Sequence, residues 1–407
     1  MVGRAWIYAC ASVLILFAFA PIVRSQGTSP SNQALPGQVR LILPKTIYAV
    51  TGVETNIFFD DVILSPNAKD YVFDILCAKG ALFDDRWAYT PVAGEAGDFP
   101  LTLEVRDKTN AIVASGHATI HVKASAGALG RPVTLLAVGD SLTEASLYTQ
   151  YLLELADHGN GPALHLIGSR GPNNSPAHGS NRHEGYSGWT AEAFVTRNGP
   201  LSRSGYFKGE ETGSPFVYIE DGKQVLDFGR YCAEFNDHHA PDFVTFALGT
   251  NDIFRGTDET IDPLIDKILG YFDQLVDMVH TFNPSTKIGI LLVIPPSSSQ
   301  DGFRHYVDTE RQTRWQYRRN QHRLVGRMIQ HYDGRENENI YLVPTYLAID
   351  DAHDFVLRPS EWSAENPEQI NRVIDGIHPS PVGYRHMGAT IYAWMLSTMV
   401  DHQVAKR

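Results

Sequence analysis

Residues 133–143 read Val-Thr-Leu-Leu-Ala-Val-Gly-Asp-Ser-Leu-Thr, an apolar run that ends in a short polar turn. A short run of this kind is typical of a strand that is covered on both faces of a parallel sheet. A serine directly after such a strand lies at the carboxyl edge of the sheet, where open α/β folds bind their ligands. The turn is not the G-x-S-x-G elbow of α/β-hydrolases, because position 143 is Thr.

Short apolar runs alternate with longer, helix-like segments from here to the end of the chain. Further strands are predicted at residues 163–167, 243–248, 288–294 and 340–343. Helices are predicted at residues 147–155, 264–279, 311–331 and 381–399, and Pro263 suits the first turn of the second helix. Strands that alternate with helices predict a parallel α/β sheet, here within a domain over residues 131–407.

The chain before residue 125 has a different hydrophobic pattern. β-branched and aromatic residues occur in short runs between turn residues, and Leu101-Thr-Leu-Glu-Val105 alternates with the period of a half-buried strand. The predicted strands are residues 38–43, 55–59, 71–75, 101–105 and 118–122. We therefore predict a small all-β, sandwich-like domain over residues 40–124.

The N-terminus predicts export. Residues 1–25 combine a positive charge at Arg4, an uncharged apolar run and a small residue at Ser25, which is the pattern of a cleavable signal peptide. An uncleaved anchor is the alternative, but Pro21 and the polar residues 26–39, which read as a linker, favour cleavage. We expect a secreted or periplasmic protein without membrane insertion after cleavage.

Composition excludes several classes of protein. The 407 residues are 43% hydrophobic and 20% charged, which excludes a disordered, collagen-like or coiled-coil chain. Lys and Arg number 34 against 46 Asp and Glu, so the formal charge is −12 and nucleic acid is not an expected partner. Two cysteines follow the signal segment, Cys77 and Cys232. Export permits a bridge between them, but their different contexts favour two buried free thiols.

Two further polar segments carry groups that can act on an ester. Gly249-Thr250-Asn251-Asp252 follows a predicted strand, so the Asn251 amide can donate to an oxyanion beside Ser141, while Asp252 can cap the next turn. In Asp375-Gly376-Ile377-His378-Pro379, the carboxylate of Asp375 can hold the imidazole of His378 by Nδ1. Nε2 is then free to take the proton of a serine.

Together these segments resemble the SGNH or GDSL hydrolases over residues 132–394. The four blocks of that family look matched by Gly139-Asp140-Ser141, Gly185-Tyr186-Ser187-Gly188, Gly249-Thr250-Asn251-Asp252 and Asp375-Gly376-Ile377-His378. The resemblance implies a flavodoxin-like three-layer sandwich with a five-stranded parallel sheet. It implies Ser141 as nucleophile, His378 as base and Asp375 as its partner. The implied oxyanion hole is Ser141, Gly188 and Asn251, with Gly185 as the alternative to Gly188; no metal or cofactor is implied.

The expected substrate is an acylated carbohydrate. His183-Glu184 and Trp189 resemble the carbohydrate-esterase branches of the family. The indole of Trp189 can stack on a sugar, and a place in the core, which is more common for Trp, is the alternative. Residues 202–239 read as an insertion with a hairpin around Asp221-Gly222. The acidic segment of residues 350–354 is interpreted as a solvated loop rather than a cation site. We expect a serine esterase that removes short acyl groups, mainly acetyl, from a polysaccharide. A lipid-ester hydrolase and a non-catalytic carbohydrate-binding protein are the alternatives.

Overall fold

In the computed structural model, which describes residues 39–158, 161–172, 179–199 and 212–404, the chain before Ala124 forms two small sheets. The strands are β1 (Thr46–Val50), β2 (Thr55–Phe58), β3 (Val72–Cys77), β4 (Ala81–Leu82), β5 (Arg86–Tyr89), β6 (Gly97–Arg106) and β7 (Ile112–Lys123), with a short helix α1 (Phe59–Val62). One sheet has the order β1-β7-β6-β3 and the other the order β2-β5-β4. The β1–β7 pair is parallel, and the other pairs are antiparallel.

The predicted strand at residues 38–43 is wrong. Within it only Leu41 makes an isolated bridge, to Ile63, and the first strand begins at Thr46. The carbonyl of Ile42 instead accepts a hydrogen bond of 3.0 Å from the hydroxyl of Tyr346, far along the chain. Backbone hydrogen bonds join this segment to residues 62–64, from the N–H of Ile42 to Val62 and from the N–H of Leu64 to Arg40, but the pairing is too short to form a strand. The strands β1, β4 and β5 were not predicted.

The central sheet confirms the predicted α/β fold. Its strands are β8 (Pro132–Gly139), β9 (Ala163–Ile167), β10 (Glu184–Gly185), β13 (Phe243–Ala247), β14 (Lys287–Leu291) and β15 (Ile340–Val343), all parallel. β9 and the two-residue β10 pair with successive parts of β8, and β13, β14 and β15 follow on its other side. The five longer strands therefore have the flavodoxin-like order 2-1-3-4-5.

Helices cover both faces of this sheet. They are α2 (Ser141–Glu144), α3 (Leu147–Asp157), α4 (Ala191–Thr196), α5 (Phe228–Phe235), α6 (Ile261–Phe282), α7 (Arg304–Thr309), α8 (Arg314–Tyr332) and α9 (Pro381–Val404). In β8, Leu135 and Ala137 share a buried cluster with α3 and α9, whereas Leu136 and Val138 share another with α6 and α8. Because successive side chains of a strand point to opposite faces, this division gives the three layers.

The apolar core runs through both regions. Ile47 of β1 and Leu103 of β6 belong to the same buried cluster as Phe246 of the central sheet. Contacts group residues 38–407 into one unit. The division into domains at residues 40–124 and 131–407 stays a prediction.

Two hairpins lie within residues 131–407 but outside the central sheet. The hairpin of β11 (Val217–Glu220) and β12 (Lys223–Leu226) is confirmed, with Asp221 and Gly222 at φ of 50° and 76° in its turn. A second, unpredicted hairpin, β16 (Leu357–Ser363) and β17 (Asn366–Val373), ends two residues before Asp375. The predicted signal peptide, all but the last residue of the linker, and residues 200–211 lie outside the described residues. Within the described chain, no helix is both long and apolar enough to cross a bilayer.

Candidate active site

Ser141 lies at the switch point of the sheet. The strands β8 and β13 are neighbours although they are the first and third of the five, and Ser141 and Asn251 come shortly after their ends. Open α/β sheets bind ligands at this crevice. Ser141 is the first residue of α2, and Asp140 caps that helix by accepting a 2.9 Å hydrogen bond from the N–H of Leu142. The cap fixes the turn that presents the serine hydroxyl.

His378 and Asp375 reach Ser141 from a loop before α9. The Nε2 atom of His378 lies 2.8 Å from Oγ of Ser141, and its Nδ1 atom lies 2.8 Å from Oδ2 of Asp375. Oδ1 of Asp375 accepts hydrogen bonds from the N–H groups of Ile377 (2.8 Å) and His378 (3.1 Å). These contacts fix the carboxylate of Asp375 against the imidazole of His378. The contact between Asp375 and Nδ1 of His378 is the one that the sequence predicts.

The charges around His378 favour its protonated form. Burial lowers the pKa of His378, but Asp375, Asp140 and Glu144 together outweigh burial and raise it above its ordinary value. For Asp375, burial raises the pKa, but the hydrogen bond and charge of His378 with the two backbone N–H groups bring it below the usual value. The pair can thus stabilise an imidazolium once a proton has moved from Ser141.

The side-chain amide of Asn251 is hydrogen-bonded to two groups of the protein. Its Nδ2 donates to the carbonyl of Trp189 at 3.0 Å and to Oδ2 of Asp140 at 3.2 Å. Asp252 accepts from the N–H groups of Ala191 (3.0 Å) and Gly249 (3.1 Å), so it joins the first residue of α4 to the turn at Gly249, whereas a cap on the following turn was expected. Burial raises the pKa of Asp140 to about 6 and that of Asp252 to about 7.

The two glycines of the block Gly185-Tyr186-Ser187-Gly188 have different surroundings. The N–H of Gly185 donates to Nδ1 of the buried His183 at 3.1 Å, so that donor is occupied. Gly188 has a φ of +76°, a left-handed conformation that suits glycine, and it lies in an exposed turn. Glu144, three residues after the nucleophile, holds this turn because its carboxylate hydrogen-bonds Ser187 and pairs with Arg170 at 3.0 Å. The choice of Gly188 over Gly185 as an oxyanion donor stays a prediction.

The side chain of Trp189 does not reach the surface, which corrects the expected stacking on a sugar. It is 0% exposed, stacks on Tyr186 at 4.3 Å and meets Phe194 edge-on. Tyr186 and Phe194 cover the indole, and its backbone carbonyl serves Asn251 instead. His183 and Glu184 are buried too: Nε2 of His183 contacts Oγ of Ser146, and Glu184 accepts hydrogen bonds from Ser169, Tyr186 and Tyr231. These residues are buried structural groups next to the segment of Gly185 and Gly188.

Tyr306 is a site residue that sequence reasoning missed. It lies in α7, its hydroxyl hydrogen-bonds Asp375, and its ring packs against Phe254 and Phe303. Burial and the neighbouring carboxylate raise the pKa of Tyr306 well above its usual value, so the hydroxyl stays protonated and donates. Its position between two motifs, in no block itself, gave no signal in the sequence. Glu144 and Arg170 were missed for the same reason.

The acidic segment of residues 350–354 is not the solvated loop that we expected. Asp351 and Asp354 are buried, and Oδ2 of Asp354 accepts from Nδ1 of His386 at 2.7 Å. Among the described residues, no cluster of His, Cys, Asp and Glu is arranged to hold a metal ion. Cys77 and Cys232 are both free thiols, but only Cys232 is fully buried.

The arrangement brings together the hydroxyl of Ser141, the imidazole of His378 and the carboxylate of Asp375 in one hydrogen-bonded chain. The Asn251 amide and the backbone N–H groups of Ser141 and Gly188 are the candidate donors to an oxyanion. Such a chain can move the serine proton to the imidazole while the donors stabilise charge on an attacked carbonyl.

Comparisons with known proteins give one family and several distant structures. The family model of the GDSL-like lipases and acylhydrolases matches residues 135–391, more than half of the chain. No curated protein matches the sequence. A carbohydrate esterase of family 3 from Talaromyces cellulolyticus is 18% identical over 66% of this chain and 99% of its own, with a TM-score of 0.38. Est24, a carbohydrate acetylesterase from Sinorhizobium meliloti, is 16% identical over 65% of this chain and 98% of its own, with a TM-score of 0.35. The acetylxylan esterase Axe2 from Geobacillus stearothermophilus, solved as a catalytic mutant, is 16% identical over 65% of this chain and 94% of its own, with a TM-score of 0.33. Similarity at this level says nothing about the substrate of this chain.

Proposed function

Because the chain belongs to the GDSL-like lipase/acylhydrolase family, we propose that it removes short acyl groups, chiefly acetyl, from a carbohydrate through a Ser141–His378–Asp375 acyl-enzyme mechanism. The protein is a serine hydrolase that acts on ester bonds. The observation that carries the mechanism is the chain of two 2.8 Å contacts from Ser141 through His378 to Asp375.

In the first half of the reaction, Oγ of Ser141 attacks the carbonyl carbon of the ester, and its proton moves to Nε2 of His378. The negative charge on the former carbonyl oxygen is stabilised by the N–H groups of Ser141 and Gly188 and by Nδ2 of Asn251. When the intermediate collapses, His378 gives its proton to the departing sugar oxygen, and the acyl group stays on Ser141.

In the second half, a water molecule attacks the acyl-enzyme while His378 takes one of its protons. Collapse of the second intermediate returns the proton to Ser141 and releases the carboxylic acid. Asp375 holds the tautomer of His378 throughout and stabilises the imidazolium, without taking the proton itself.

The polarity around the triad supports a small acyl group on a polar alcohol. Polar side chains near the triad include Tyr306, which hydrogen-bonds Asp375, and the carboxyl groups of Asp140 and Glu144, whose charges act on His378. A long acyl chain would require apolar side chains in these places to remove its methylene groups from water. The signal peptide predicted at residues 1–25 further supports a substrate outside the cytoplasm.

The test is acetate release by the purified protein from acetylated xylan, mannan and pectin, beside a series of p-nitrophenyl esters from acetate to laurate. We expect acetate from at least one polymer and a kcat/KM that falls as the acyl chain of the p-nitrophenyl ester lengthens. Faster hydrolysis of the long esters would favour a lipid-ester hydrolase. No hydrolysis of any ester by correctly folded protein would favour a non-catalytic carbohydrate-binding role.

A further inference from the structure

A second cavity lies on the same edge of the sheet as the triad and is not used by the chemistry at Ser141. It has a volume of about 190 Å³, and its walls come from residues 60–69 on one side and from residues 298, 314–318 and 351–352 on the other. Ser298 follows β14 and Asp351 follows β15, which are two and three strand positions from β8.

The cavity is joined to the catalytic loop by backbone hydrogen bonds. The N–H of Ser298 donates to the carbonyl of Asp351 at 2.7 Å, and the N–H of the preceding Ser297 donates to the carbonyl of Gly376 at 2.9 Å. Gly376 lies between Asp375 and His378 in sequence. The wall of the cavity at Ser298 is therefore adjacent to the loop that carries Asp375 and His378.

The floor of the cavity is rigid before any ligand binds. Arg318 is 4% exposed, lies 3.5 Å from the carboxylate of the fully buried Asp61, and donates to the backbone carbonyl of Asp60 and to the side chain of Gln321. Asp351, also on the lining, is 8% exposed. Preorganised polar groups of this kind bind a ligand without the entropy cost of ordering flexible side chains.

The chemistry of the lining matches a neutral sugar. Trp315 supplies an aromatic surface, and the guanidinium of Arg314 lies 6.0 Å from its ring centre. Arg319 also approaches this ring, but it does not line the cavity and pairs with Asp258 at 3.0 Å. Asp60 and Asp351 accept hydrogen bonds from hydroxyl groups, and Arg314 and Lys69 donate them. The lining mixes two acidic side chains with the cationic Lys69, Arg314 and Arg318. An uncharged, hydroxyl-rich ring can use both kinds of partner and lay its C–H face on the indole.

We propose that this cavity binds a neutral sugar unit of the polysaccharide other than the acylated sugar at Ser141. The inference rests on the proposed function, because it takes the substrate to be a carbohydrate chain. The cavity then sets chain specificity and contributes to KM for polymers, but it does not touch the reacting ester.

Binding is tested first without turnover, in the Ser141→Ala variant, by calorimetry with xylohexaose, mannohexaose and hexagalacturonate. We expect at least one neutral hexasaccharide to bind, and Trp315→Ala added to Ser141→Ala to weaken that binding about tenfold. Lys69→Ala, on the opposite wall, should weaken it too. Trp362→Ala is the matched control, since Trp362 is 58% exposed on the β16–β17 hairpin and does not line the cavity.

Kinetics then separate this proposal from the proposed function. Trp315→Ala in the active enzyme should raise KM for an acetylated hexasaccharide about tenfold and leave kcat/KM for p-nitrophenyl acetate unchanged. Binding only of hexagalacturonate, no binding of either neutral hexasaccharide, or equal affinity with and without Trp315 in a variant of unchanged melting temperature would overturn the cavity proposal. Binding that depends on Trp315, without acetate release from any acetylated oligosaccharide by the wild-type enzyme, would support the cavity and contradict the proposed function.

Discussion

The amide of Asn251 has two acceptors before a substrate arrives, the carbonyl of Trp189 and the carboxylate of Asp140. An oxyanion at Ser141 must therefore take over one Nδ2 hydrogen, and the longer contact, 3.2 Å to Asp140, is the one to give way. The exchange becomes favourable as negative charge develops on the carbonyl oxygen. Asn251 thus acts mainly in the transition state.

Asn251→Ala should lower kcat by about 10²–10³-fold with little change in KM. Asn251→Asp is the matched variant, because it keeps the size of the side chain and removes the N–H donors, and it should lose at least as much. Steady-state kinetics with p-nitrophenyl acetate measure both. A normal kcat with a raised KM would make Asn251 a substrate-binding group instead.

The raised pKa of His378 fixes the sign of the pH dependence. A general base must be neutral, so kcat/KM should rise with pH through an apparent pKa above the ordinary value of about 6.5. Asp375→Asn removes the carboxylate that raises this pKa most and leaves burial, which lowers it, against only the charges of Asp140 and Glu144. We therefore expect its rising limb to move to lower pH while its maximum falls, by less than in His378→Ala. An Asp375→Asn profile that coincides with that of the wild type would leave a Ser–His dyad.

The same shifts link activity to stability. The stabilisation from protonated His378 is complete below its unfolded-state pKa and is lost as pH rises through the raised folded-state pKa. The stabilisation from ionised Asp375, whose pKa is lowered, is present above its unfolded-state pKa and is lost in acid. The contribution of the pair to stability thus declines over the pH range in which the enzyme gains activity.

The turn between β10 and α4 carries its two glycines for different reasons. A Cβ on Gly185 would lie 2.4 Å from the backbone nitrogen of Glu144, so the strand and α2 would have to separate. A Cβ on Gly188 would meet nothing within 4 Å, and only its φ of +76° disfavours another residue.

Gly185→Ala should therefore lower the free energy of unfolding by about 3 kcal/mol, and Gly188→Ala by about 1 kcal/mol. Urea denaturation at neutral pH measures both losses, with each variant serving as the control for the other. Equal losses would show that the close approach of β10 to α2 is not fixed in solution.

Four strands of the central sheet, β8, β13, β14 and β15, were predictable from sequence because they are mostly buried and read as apolar runs. The strand β9 was also predicted although its first half is not buried, and the two-residue β10 was not predicted. The small sheets before Ala124 were less predictable, since β4 and β5 are short and the pairing of residues 38–43 with residues 62–64 is too short to form a strand. The β16–β17 hairpin is largely exposed, so it has no apolar pattern to find.

Some residues of the site were predictable from sequence and others were not. Ser141, Asn251, Asp375 and His378 belong to sequence blocks, and each follows a strand end or a tight turn. Tyr306, Glu144 and Arg170 act through contacts between elements far apart in sequence, which no local pattern encodes. Trp189 was misjudged because burial of an indole depends on tertiary neighbours such as Tyr186 and Phe194.

The region before Ala124 is tied to the catalytic region by Arg318 of α8. Its guanidinium bonds the carbonyl of Asp60 and lies 3.5 Å from the carboxylate of Asp61, with 5% and 0% of the two side chains exposed. Burial raises the pKa of Asp61 well above its usual value, and Arg318 counteracts that rise. Removal of the guanidinium would leave a buried acid and a buried carbonyl without their partner.

Arg318→Met should lower the free energy of unfolding by about 3 kcal/mol. Arg319→Met is the matched control: the neighbouring pair of Arg319 with Asp258 is much more exposed, so its loss should cost less than about 1 kcal/mol. Urea unfolding followed by tryptophan fluorescence compares the two. An Arg318→Met variant as stable as Arg319→Met would mean that the contact does not hold the two regions together.

The most direct test of the whole account is the kcat for p-nitrophenyl acetate of Ser141→Ala beside the wild-type enzyme. If Ser141 forms the acyl-enzyme, its removal should lower kcat by several orders of magnitude while the melting temperature stays near that of the wild type. A folded Ser141→Ala variant that keeps more than about a tenth of the wild-type kcat would contradict the account, because the nucleophile would then lie elsewhere.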